Sequence, residues 1–361
     1  MWYQTKATRL LNIGYPILQG PFGGGLSSVE LVSTVSNAGG LGGYGAYTMS
    51  PEEIYTIDRQ IRAATDKPYN LNLWVSDTDA PGGMATEEQH KKARERFGAY
   101  FDELGIPFPE RPAPFASRFA NQLQVVLDIR PKVFSFMFGT LPADVLEECR
   151  SKGILTVGAA TTLDEALALE ASGADMIIAS GFEAGGHRPS FLDSAEASTT
   201  GTFVLVQLVR EKVKVPVIAA GGIATGRGIA AAMILGAHAV QIGTAFLATD
   251  ESGALPIHRE MLFSDAAKYT TLTRAFTGRL GRGLTSRISR DHTGKEPAHL
   301  PFPLQTTLMS SLRKAAIDRQ KWDMILFWGG QIAPLLKHRK AKHLMNSLIE
   351  ETTAIFNHLK N

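Results

Sequence analysis

Residues 181–187 (Gly-Phe-Glu-Ala-Gly-Gly-His) bring together the residue types that proton transfer beside a flat ligand requires. His187 ends this stretch, which directly follows an apolar run at 176–179. Histidine is the side chain whose ordinary pKa lies nearest neutral pH, and it is the commonest general base. A single histidine is usually structural, but this one follows a predicted strand and a pair of glycines. We therefore interpret His187 as a catalytic candidate.

Two consecutive units carry glycines where a strand ends. Residues 217–226 run from an apolar strand through Gly221 and Gly222 into a predicted helix at 227–235, and the next unit places Gly243 directly after the strand at 239–242. Backbone N–H groups in such turns approach a phosphate closely, and helix N-termini favour anions. The loops after strands seven and eight are the usual phosphate site of a (β/α)8 barrel. The alternative is two glycine-capped loops without a ligand.

Another glycine motif predicts no ligand. Residues 40–45 match G-x-G-x-x-G, the dinucleotide-binding pattern. That pattern functions only when a strand precedes it and a helix begins directly after it. Here a predicted helix precedes the glycines, which lie within the second strand. We interpret them as a place where backbones pack closely.

The elements that position these residues alternate between short apolar runs and helical patterns. Alternation of this kind implies parallel strands, and eight units close most economically into a (β/α)8 TIM barrel. An open, doubly wound sheet is the alternative architecture. The predicted strands lie at 17–19, 40–44, 69–74, 133–136, 155–158, 176–179, 217–219 and 239–242.

Two segments depart from this alternation. Residues 76–118 are rich in Pro, Gly and charge, with a helical stretch at 86–104, and we predict an insertion after strand three on the side where barrels form active sites. The chain from about 252 is mostly helical, including 304–319 and 338–359. We expect a (β/α)8 barrel domain over 1–252, with the insertion at about 76–118, and a helical C-terminal extension over 253–361 packed on it.

Composition limits the function classes. The formal net charge is +2 in 361 residues, which gives no reason to expect a nucleic acid or an anionic membrane as partner. No apolar stretch is long enough to span a bilayer, so a cytoplasmic protein is expected. Cys149 is the only cysteine, which excludes an intramolecular disulfide, and its amphipathic surroundings predict a structural role. No metal-binding motif occurs, so no metal site is predicted.

Several of these stretches together resemble the nitronate monooxygenases, formerly called 2-nitropropane dioxygenases. The resemblance covers most of residues 12–285, in order. Its most specific part, 181–187, is shared with the flavin-dependent enoyl-acyl-carrier-protein reductases, so it indicates the superfamily better than the substrate. The stretches that carry the resemblance are 16–21, 35–42, 181–188, 220–223, 241–247 and 276–279.

The resemblance implies an FMN-dependent oxidoreductase that converts nitronates or nitroalkanes with O2 into carbonyl compounds and nitrite. His187 would be the catalytic base or the group that binds the anionic nitronate. Arg188 could bind a substrate carboxylate or be structural, and Glu183 is expected to support the loop. The implied partners are the small substrate and O2, and a homodimer is one assembly that the resemblance allows.

The resemblance also implies which residues hold the cofactor. Two departures concern the substrate pocket: Phe22 stands where the family often has Met, and the insertion at 76–118 is long. The implied FMN-binding residues are Gln19, Gly20 and Pro21 from strand one, Asn72 from strand three, Ser180, Gly181, Gly185 and Gly186 along the flavin, Gly221, Gly222, Gly243 and Thr244 at the phosphate, and Gln241 beside them.

Three alternatives to this function remain open from the sequence. The first is an FMN-dependent NAD(P)H enoyl or quinone reductase. The second is a flavin-free barrel lyase or isomerase that binds a sugar phosphate. The third is a flavin-binding protein without catalysis, in which His187 is structural.

Overall fold

The computed structural model describes residues 1–295 and 298–359, and its centre is a nearly closed barrel of eight parallel strands. The strands are hydrogen-bonded in the order β1-β9-β8-β6-β5-β4-β3-β2. Parallel bridges Leu18–Leu41 and Phe22–Tyr44 join the two ends of this order. The (β/α)8 barrel is therefore confirmed and the open sheet is excluded. The barrel strands are β1 (Ile17–Gln19), β2 (Gly42–Gly45), β3 (Tyr69–Trp74), β4 (Val133–Met137), β5 (Leu155–Ala160), β6 (Met176–Ser180), β8 (Val217–Ala220) and β9 (Ala239–Ile242).

Fourteen α-helices lie in the described part of the chain, most of them outside the barrel. Short 3-10 turns occur at Pro81–Gly83, Asp265–Lys268, Trp322–Met324 and Ala333–Leu335. The helices are α1 (Lys6–Leu11), α2 (Val29–Asn37), α3 (Pro51–Ala64), α4 (Glu87–Glu103), α5 (Phe119–Ile129), α6 (Ala143–Ser151), α7 (Leu163–Ser172), α8 (Thr202–Lys212), α9 (Gly226–Ile234), α10 (Thr244–Leu247), α11 (Pro256–Leu262), α12 (Arg287–His292), α13 (Leu304–Asp318) and α14 (Ala341–His358).

Strand residues alternate between two cores, which explains why the strands are apolar on both faces. In β6, Ile177 belongs to the core between strands and helices, whereas Ile178 points into the barrel with Leu18 of β1. Ala7 and Leu11 of α1 join the inner cluster and cover the end of the barrel opposite the strands' carboxyl ends. Burial on both faces is typical of parallel sheets covered by helices.

The last helix completes the ring around the barrel. Helix α14 packs between α9 and α2, the place of an eighth helix, although it begins about a hundred residues after strand eight. Its Glu351 accepts a hydrogen bond of 2.8 Å from the N–H of Gly226, the first residue of α9. The division into a barrel over 1–252 and an extension over 253–361 stays a prediction, and α14 belongs to the ring whichever way the chain is divided.

The C-terminal region also contains strands that the sequence analysis did not predict. Strand β10 (Thr270–Thr273) pairs antiparallel with β11 (Gly281–Leu284), which pairs antiparallel with the two-residue β7 (Gly186–His187). These strands are short and rich in Thr and Gly, so neither has an apolar alternation that would reveal it. Their pairing attaches the loop that carries His187 to the C-terminal region.

The insertion after β3 packs against the same C-terminal region. Phe97 and Phe101 of α4 share a hydrophobic core with Leu304 and Leu308 of α13. Helix α4 lies within the stretch 86–104 that the sequence analysis predicted to be helical, and it begins after the N-cap Thr86 with a capping box. The insertion and the C-terminal region therefore form one covering over the barrel end where the strands finish.

Two smaller predictions can be compared with the structure. The glycines of 40–45 lie in and before β2, with α2 preceding them, so the dinucleotide reading is excluded. Cys149 is fully buried in α6, and burial raises the pKa of its thiol to about 11. Within the described ranges, no helix is long and apolar enough to cross a membrane, and no group of His, Cys, Asp and Glu could hold a metal ion.

Candidate active site

His187 lies at the carboxyl end of the barrel strands and is held there by the C-terminal region. It pairs with Gly281 of β11, while the preceding Gly186 has φ +84. A positive φ is accessible to glycine without the steric cost that other residues incur. The glycine before His187 thus permits the turn that carries the imidazole from β6 to β11.

The imidazole has one polar contact with the described residues. Its Nε2 lies 2.9 Å from the hydroxyl oxygen of Thr277, and that hydroxyl lies 3.1 Å from the carbonyl oxygen of Arg279. Burial, with a smaller contribution from the positive charge of Arg279, lowers the pKa of His187 to about 3. The side chain is therefore a neutral imidazole at ordinary pH.

Aromatic rings surround His187. The ring centroids of Trp328, Trp74 and Phe302 lie 4.8, 5.1 and 6.2 Å from that of His187. Tyr47 stacks on Trp74 at 3.6 Å. These rings come from β3, the β2–α3 loop and two separate parts of the C-terminal region, and they give the histidine apolar surroundings. We call Tyr47, Trp74, Phe302 and Trp328 the aromatic wall.

An ion pair between a buried arginine and a partly exposed aspartate supports the aromatic wall from behind. Arg279 is 5% exposed, and its guanidinium lies 4.1 and 4.5 Å from the ring centroids of Phe138 and Phe302. Its Nε and one terminal nitrogen donate to the two carboxylate oxygens of Asp79, at 2.8 and 2.5 Å. The backbone N–H of Asp79 in turn donates to the carbonyl of Phe302. The pair thus joins the insertion to the C-terminal region next to the histidine.

The two charged neighbours of His187 in sequence have structural contacts. Arg188 is 1% exposed and donates to the carbonyl oxygens of Gly181 and Ser198, both at 2.7 Å. Glu183 accepts hydrogen bonds from the N–H and hydroxyl of Thr202 at the start of α8. Both terminal nitrogens of Arg188 are therefore used within the protein, while its buried Nε has no partner among the described residues, and Glu183 supports the loop.

The glycines predicted to hold a cofactor converge at the same end of the barrel. Gly20 and Gly243 lie side by side, since a Cβ on Gly20 would be 3.3 Å from the Cα of Gly243. Gly221 and Gly222 both have positive φ. The N–H groups of Gly222, Ile223 and Gly243 donate no hydrogen bond to any residue that the structure describes. These backbone donors form the glycine face of the site.

The N-terminus of α9, which was expected to help bind a phosphate, already has hydrogen-bond partners within the protein. The N-terminus of α9 is capped by the Thr225 hydroxyl and by the carboxylate of Glu351. The N–H groups of Gly226 and Gly228 in α9 are therefore already used, while those of Gly222 and Ile223 in the preceding turn remain for an anion.

The predicted polar side chains differ in whether their hydrogen-bonding atoms already have partners within the protein. Gln19 accepts from the N–H of Gly43 at 2.8 Å and donates to the carbonyl of Gly20, so it joins β1 to β2. The amide nitrogen of Asn72 donates to Ser135. By contrast, the buried amide oxygen of Gln241 has no hydrogen-bond partner among the described residues.

A segment that the sequence analysis did not single out closes this face. The N–H of Gly330 donates to the hydroxyl of Thr244 at 2.9 Å, and a Cβ on Gly185 would be 2.5 Å from that nitrogen. Thr244 keeps its own hydroxyl hydrogen for another acceptor. The signal in the sequence is the pair Gly329-Gly330, which interrupts a mostly helical region directly after Trp328.

The remaining predicted residues flank the same opening. Pro21 is half-buried at the end of β1, and the ring of the following Phe22 is the nearest side chain to Gly243. Ser180 is buried at the end of β6, beside Gly181, whose N–H donates to the carbonyl of Ala220. The structure thus brings all the predicted site residues to one end of the barrel.

The sequence has close relatives along its whole length. The family described as nitronate monooxygenase matches residues 4–351. A nitronate monooxygenase of Pseudomonas aeruginosa is 39% identical over 350 residues, covering 96% of this chain and 98% of that protein. A probable nitronate monooxygenase of Staphylococcus haemolyticus is 34% identical over 357 residues, covering 98% and 99%.

Solved structures are similar over the same extent. A nitroalkane oxidase from Streptomyces ansochromogenes superposes with a TM-score of 0.88 at 35% identity, covering 98% of this chain and 99% of that one. FabK from Thermotoga maritima gives a TM-score of 0.74 at 27% identity, covering 99% and 98%. Both likenesses include the barrel and the C-terminal region.

Proposed function

We propose, from the premise that this chain belongs to the nitronate monooxygenase family, that it oxidises alkyl nitronates or nitroalkanes with O2 to carbonyl compounds and nitrite. The observation that carries this proposal is the position of His187. A neutral imidazole lies within an aromatic wall at the end of the barrel where the glycine face also lies. The nitroalkane oxidase with the same fold supports the same reaction class.

We propose FMN as the cofactor, and the residues present fit it. Gly243 has room in front of its backbone, because the nearest atom to an added Cβ would be Cε1 of Phe22 at 3.8 Å. The unpaired N–H groups of Gly222, Ile223 and Gly243 suit a phosphate. The unpartnered oxygen of Gln241 suits a ring N–H. When bound, the flavin would supply the electron transfer between substrate and O2.

The chain's own contribution would be to bind, orient and deprotonate the substrate. The neutral His187 would accept the α-proton of a nitroalkane, and the aromatic wall would exclude water from that transfer. Arg188 donates all its described hydrogen bonds to the protein, and Arg279 is paired with Asp79.

The reductase alternative rests on one specific observation. The likeness to FabK covers 99% of this chain, and the stretch 181–187 also resembles the flavin-dependent enoyl-acyl-carrier-protein reductases. An NAD(P)H-dependent enoyl reductase would use the same barrel and the same flavin. The two functions differ in which compound reduces the flavin.

The test of the proposal starts from the visible spectrum of the purified protein. We expect flavin absorption, nitrite release when 2-nitropropane nitronate is added in air, and slow bleaching by NADH or NADPH without oxygen. Rapid bleaching by a reduced nicotinamide without nitrite release would favour the reductase. A colourless protein that takes up no FMN would favour the flavin-free lyase or isomerase. Bound FMN with neither reaction would favour a binding protein.

The cellular location and the assembly of the enzyme can also be proposed. We propose a cytoplasmic enzyme that needs no nucleic acid, in keeping with its formal net charge of +2. A homodimer is the assembly we propose to test. Sedimentation of the purified protein with and without nucleic acid would check the assembly and the absence of nucleic-acid binding, and fractionation of cells would check the location.

A further inference from the structure

We propose that Thr277 positions the proton of His187 on Nε2, so that Nδ1 is the atom that accepts the proton from the substrate. The proton transfer in this inference rests on the proposed function, whereas the tautomer of His187 is inferred from hydrogen bonds alone. It decides between the two roles that the sequence left open for His187, a base or an anion-binding group.

The argument begins with the single hydrogen of the Thr277 hydroxyl. The oxygen of this hydroxyl lies 3.1 Å from the carbonyl oxygen of Arg279 and 2.9 Å from Nε2 of His187. A carbonyl oxygen can only accept, so the hydroxyl hydrogen is directed at Arg279. The hydroxyl oxygen must then accept from His187, which requires a hydrogen on Nε2.

The other ring nitrogen follows from this assignment. A neutral imidazole carries one hydrogen, so Nδ1 has a lone pair when Nε2 is protonated. The hydrogen bond of the His187 ring to the described residues is made by Nε2, so Nδ1 makes none. The lone pair is thus available inside the aromatic wall, where Trp74 and Trp328 lie within about 5 Å, at 5.1 and 4.8 Å between ring centroids.

Whether Nδ1 of His187 carries a lone pair or a hydrogen decides if it can accept a proton from the substrate or donate a hydrogen bond to it. A neutral imidazole with a bare Nδ1 cannot donate to a nitronate oxygen, but it can take a proton. In the proposed step the α-C–H bond of a neutral nitroalkane breaks, its proton moves to Nδ1, and its electron pair passes into the nitro group to give the nitronate. The imidazolium that results keeps its Nε2–H on Thr277, which stabilises the new charge.

Thr277 is accordingly a positioning residue. It touches the base and has no assigned contact with the substrate. It belongs to the stretch 276–279, which also supplies Arg279 to the ion pair with Asp79. The C-terminal region therefore sets the orientation, the tautomer and the charge environment of a histidine that the barrel loop carries.

The direct test is the tautomer of His187 in the protein as purified, read from the 15N shifts of its histidine-labelled form and assigned by comparison with His187→Asn. We expect hydrogen on Nε2 and a bare Nδ1. In Thr277→Val we expect a mixture of tautomers, and in Thr277→Ser the wild-type pattern. Hydrogen on Nδ1 in the wild type would overturn the proposal, whatever the activity of the enzyme.

The kinetic test separates this proposal from the proposed function. Thr277→Val should lower kcat/KM for a neutral nitroalkane by about tenfold, the worth of one hydrogen bond that a buried group loses, while nitrite release from preformed nitronate changes little. Thr271→Val removes a comparable hydroxyl pair in β10, 2.7 Å from Thr285, and should leave both rates unchanged. Equal losses with nitroalkane and nitronate would overturn the role of Nδ1 as base. Nitrite release from nitronate in the wild type tests the oxidation itself.

Discussion

The glycine face and the aromatic wall lie at the same end of the barrel but differ in origin. The glycine face consists of backbone N–H groups in the turns that directly follow β8 and β9. The aromatic wall and the contacts of His187 come from segments hundreds of residues apart, including Trp74, Phe302 and Trp328. One half of the site is local in sequence and the other is assembled by folding.

This difference suggests that the glycine face binds the cofactor and that the aromatic wall and His187 act on the substrate. Backbone donors that converge at strand ends suit the part of a cofactor that does not change during the reaction. Side chains contributed by an insertion and by the C-terminal region can change without disturbing the barrel, so they suit substrate choice and proton transfer. Variants on either side should therefore affect cofactor affinity and turnover separately.

The largest effect is expected at the residue where the two halves meet. His187→Asn removes the proposed base, while its place in the backbone pairing of β7 with β11 is unchanged. Turnover of a neutral nitroalkane should fall by about a hundredfold or more, the usual worth of a general base. Flavin content, measured from the visible spectrum, should stay the same. Unchanged turnover would remove His187 from the mechanism.

The next effect tests the glycine face alone. Gly243→Ala adds a methyl group in front of the backbone, where the nearest neighbour is Phe22 at 3.8 Å, and Gly243 has φ −97, which alanine tolerates. We expect FMN affinity to fall about tenfold, or about 1.4 kcal/mol, with no loss of thermal stability in the protein without flavin. Equilibrium dialysis against FMN measures the first and a melting curve the second.

Gly98→Ala is the matched control for that variant. Gly98 lies in the helix α4, and an added Cβ would meet nothing within 4 Å. Alanine is a better helix former than glycine, so this change should preserve or slightly raise stability and leave FMN affinity unchanged. If Gly243→Ala bound FMN as tightly as Gly98→Ala does, Gly243 would not belong to the cofactor site.

The same comparison explains what the sequence could and could not predict. The barrel and its strand-end glycines were predicted because each strand, turn and helix is marked by neighbouring residues. The strands β10 and β11 were missed, since their stability comes from pairing with β7 and not from their own pattern. The stretch 276–279 was recognised as family-like, but only folding reveals that Thr277 contacts His187 and that Arg279 pairs with Asp79.

A smaller effect is expected behind the aromatic wall. Asp79→Asn leaves the charge of Arg279 buried without its counterion, but Asp79 is itself 39% exposed, so water compensates in part. We expect the free energy of unfolding to fall by about 1–2 kcal/mol, between the values for buried and exposed pairs. FMN affinity should not change. Denaturant unfolding and dialysis would measure the two quantities.

Glu260→Gln is the control for the ion pair. Glu260 and Arg339 form a bidentate pair in which both side chains are exposed, and removing it should cost less than about 0.5 kcal/mol. If Asp79→Asn were as mild as Glu260→Gln, the contact between the insertion and the C-terminal region would contribute little. A loss of FMN in Asp79→Asn would contradict the separation of the two halves.

The smallest effect expected near neutral pH concerns the titration of His187. Burial and then Arg279 lower its pKa from 6.5 to about 3, so activity that needs the neutral imidazole should be level between about pH 5 and 8, within the range where an ordinary histidine titrates. His187 also affects the pH dependence of stability, because the unfolded chain protonates this histidine below pH 6.5 and the folded protein does so only near pH 3. The contribution of His187 to the free energy of unfolding is therefore complete above pH 6.5 and is lost as the pH falls towards 3. His187→Asn should remove that part of the pH dependence of unfolding, while His258, whose pKa burial lowers to about 4, contributes equally to both proteins. Equal slopes in the two proteins, or an acid limb of the wild-type rate near pH 6.5, would mean that the aromatic wall does not keep His187 neutral.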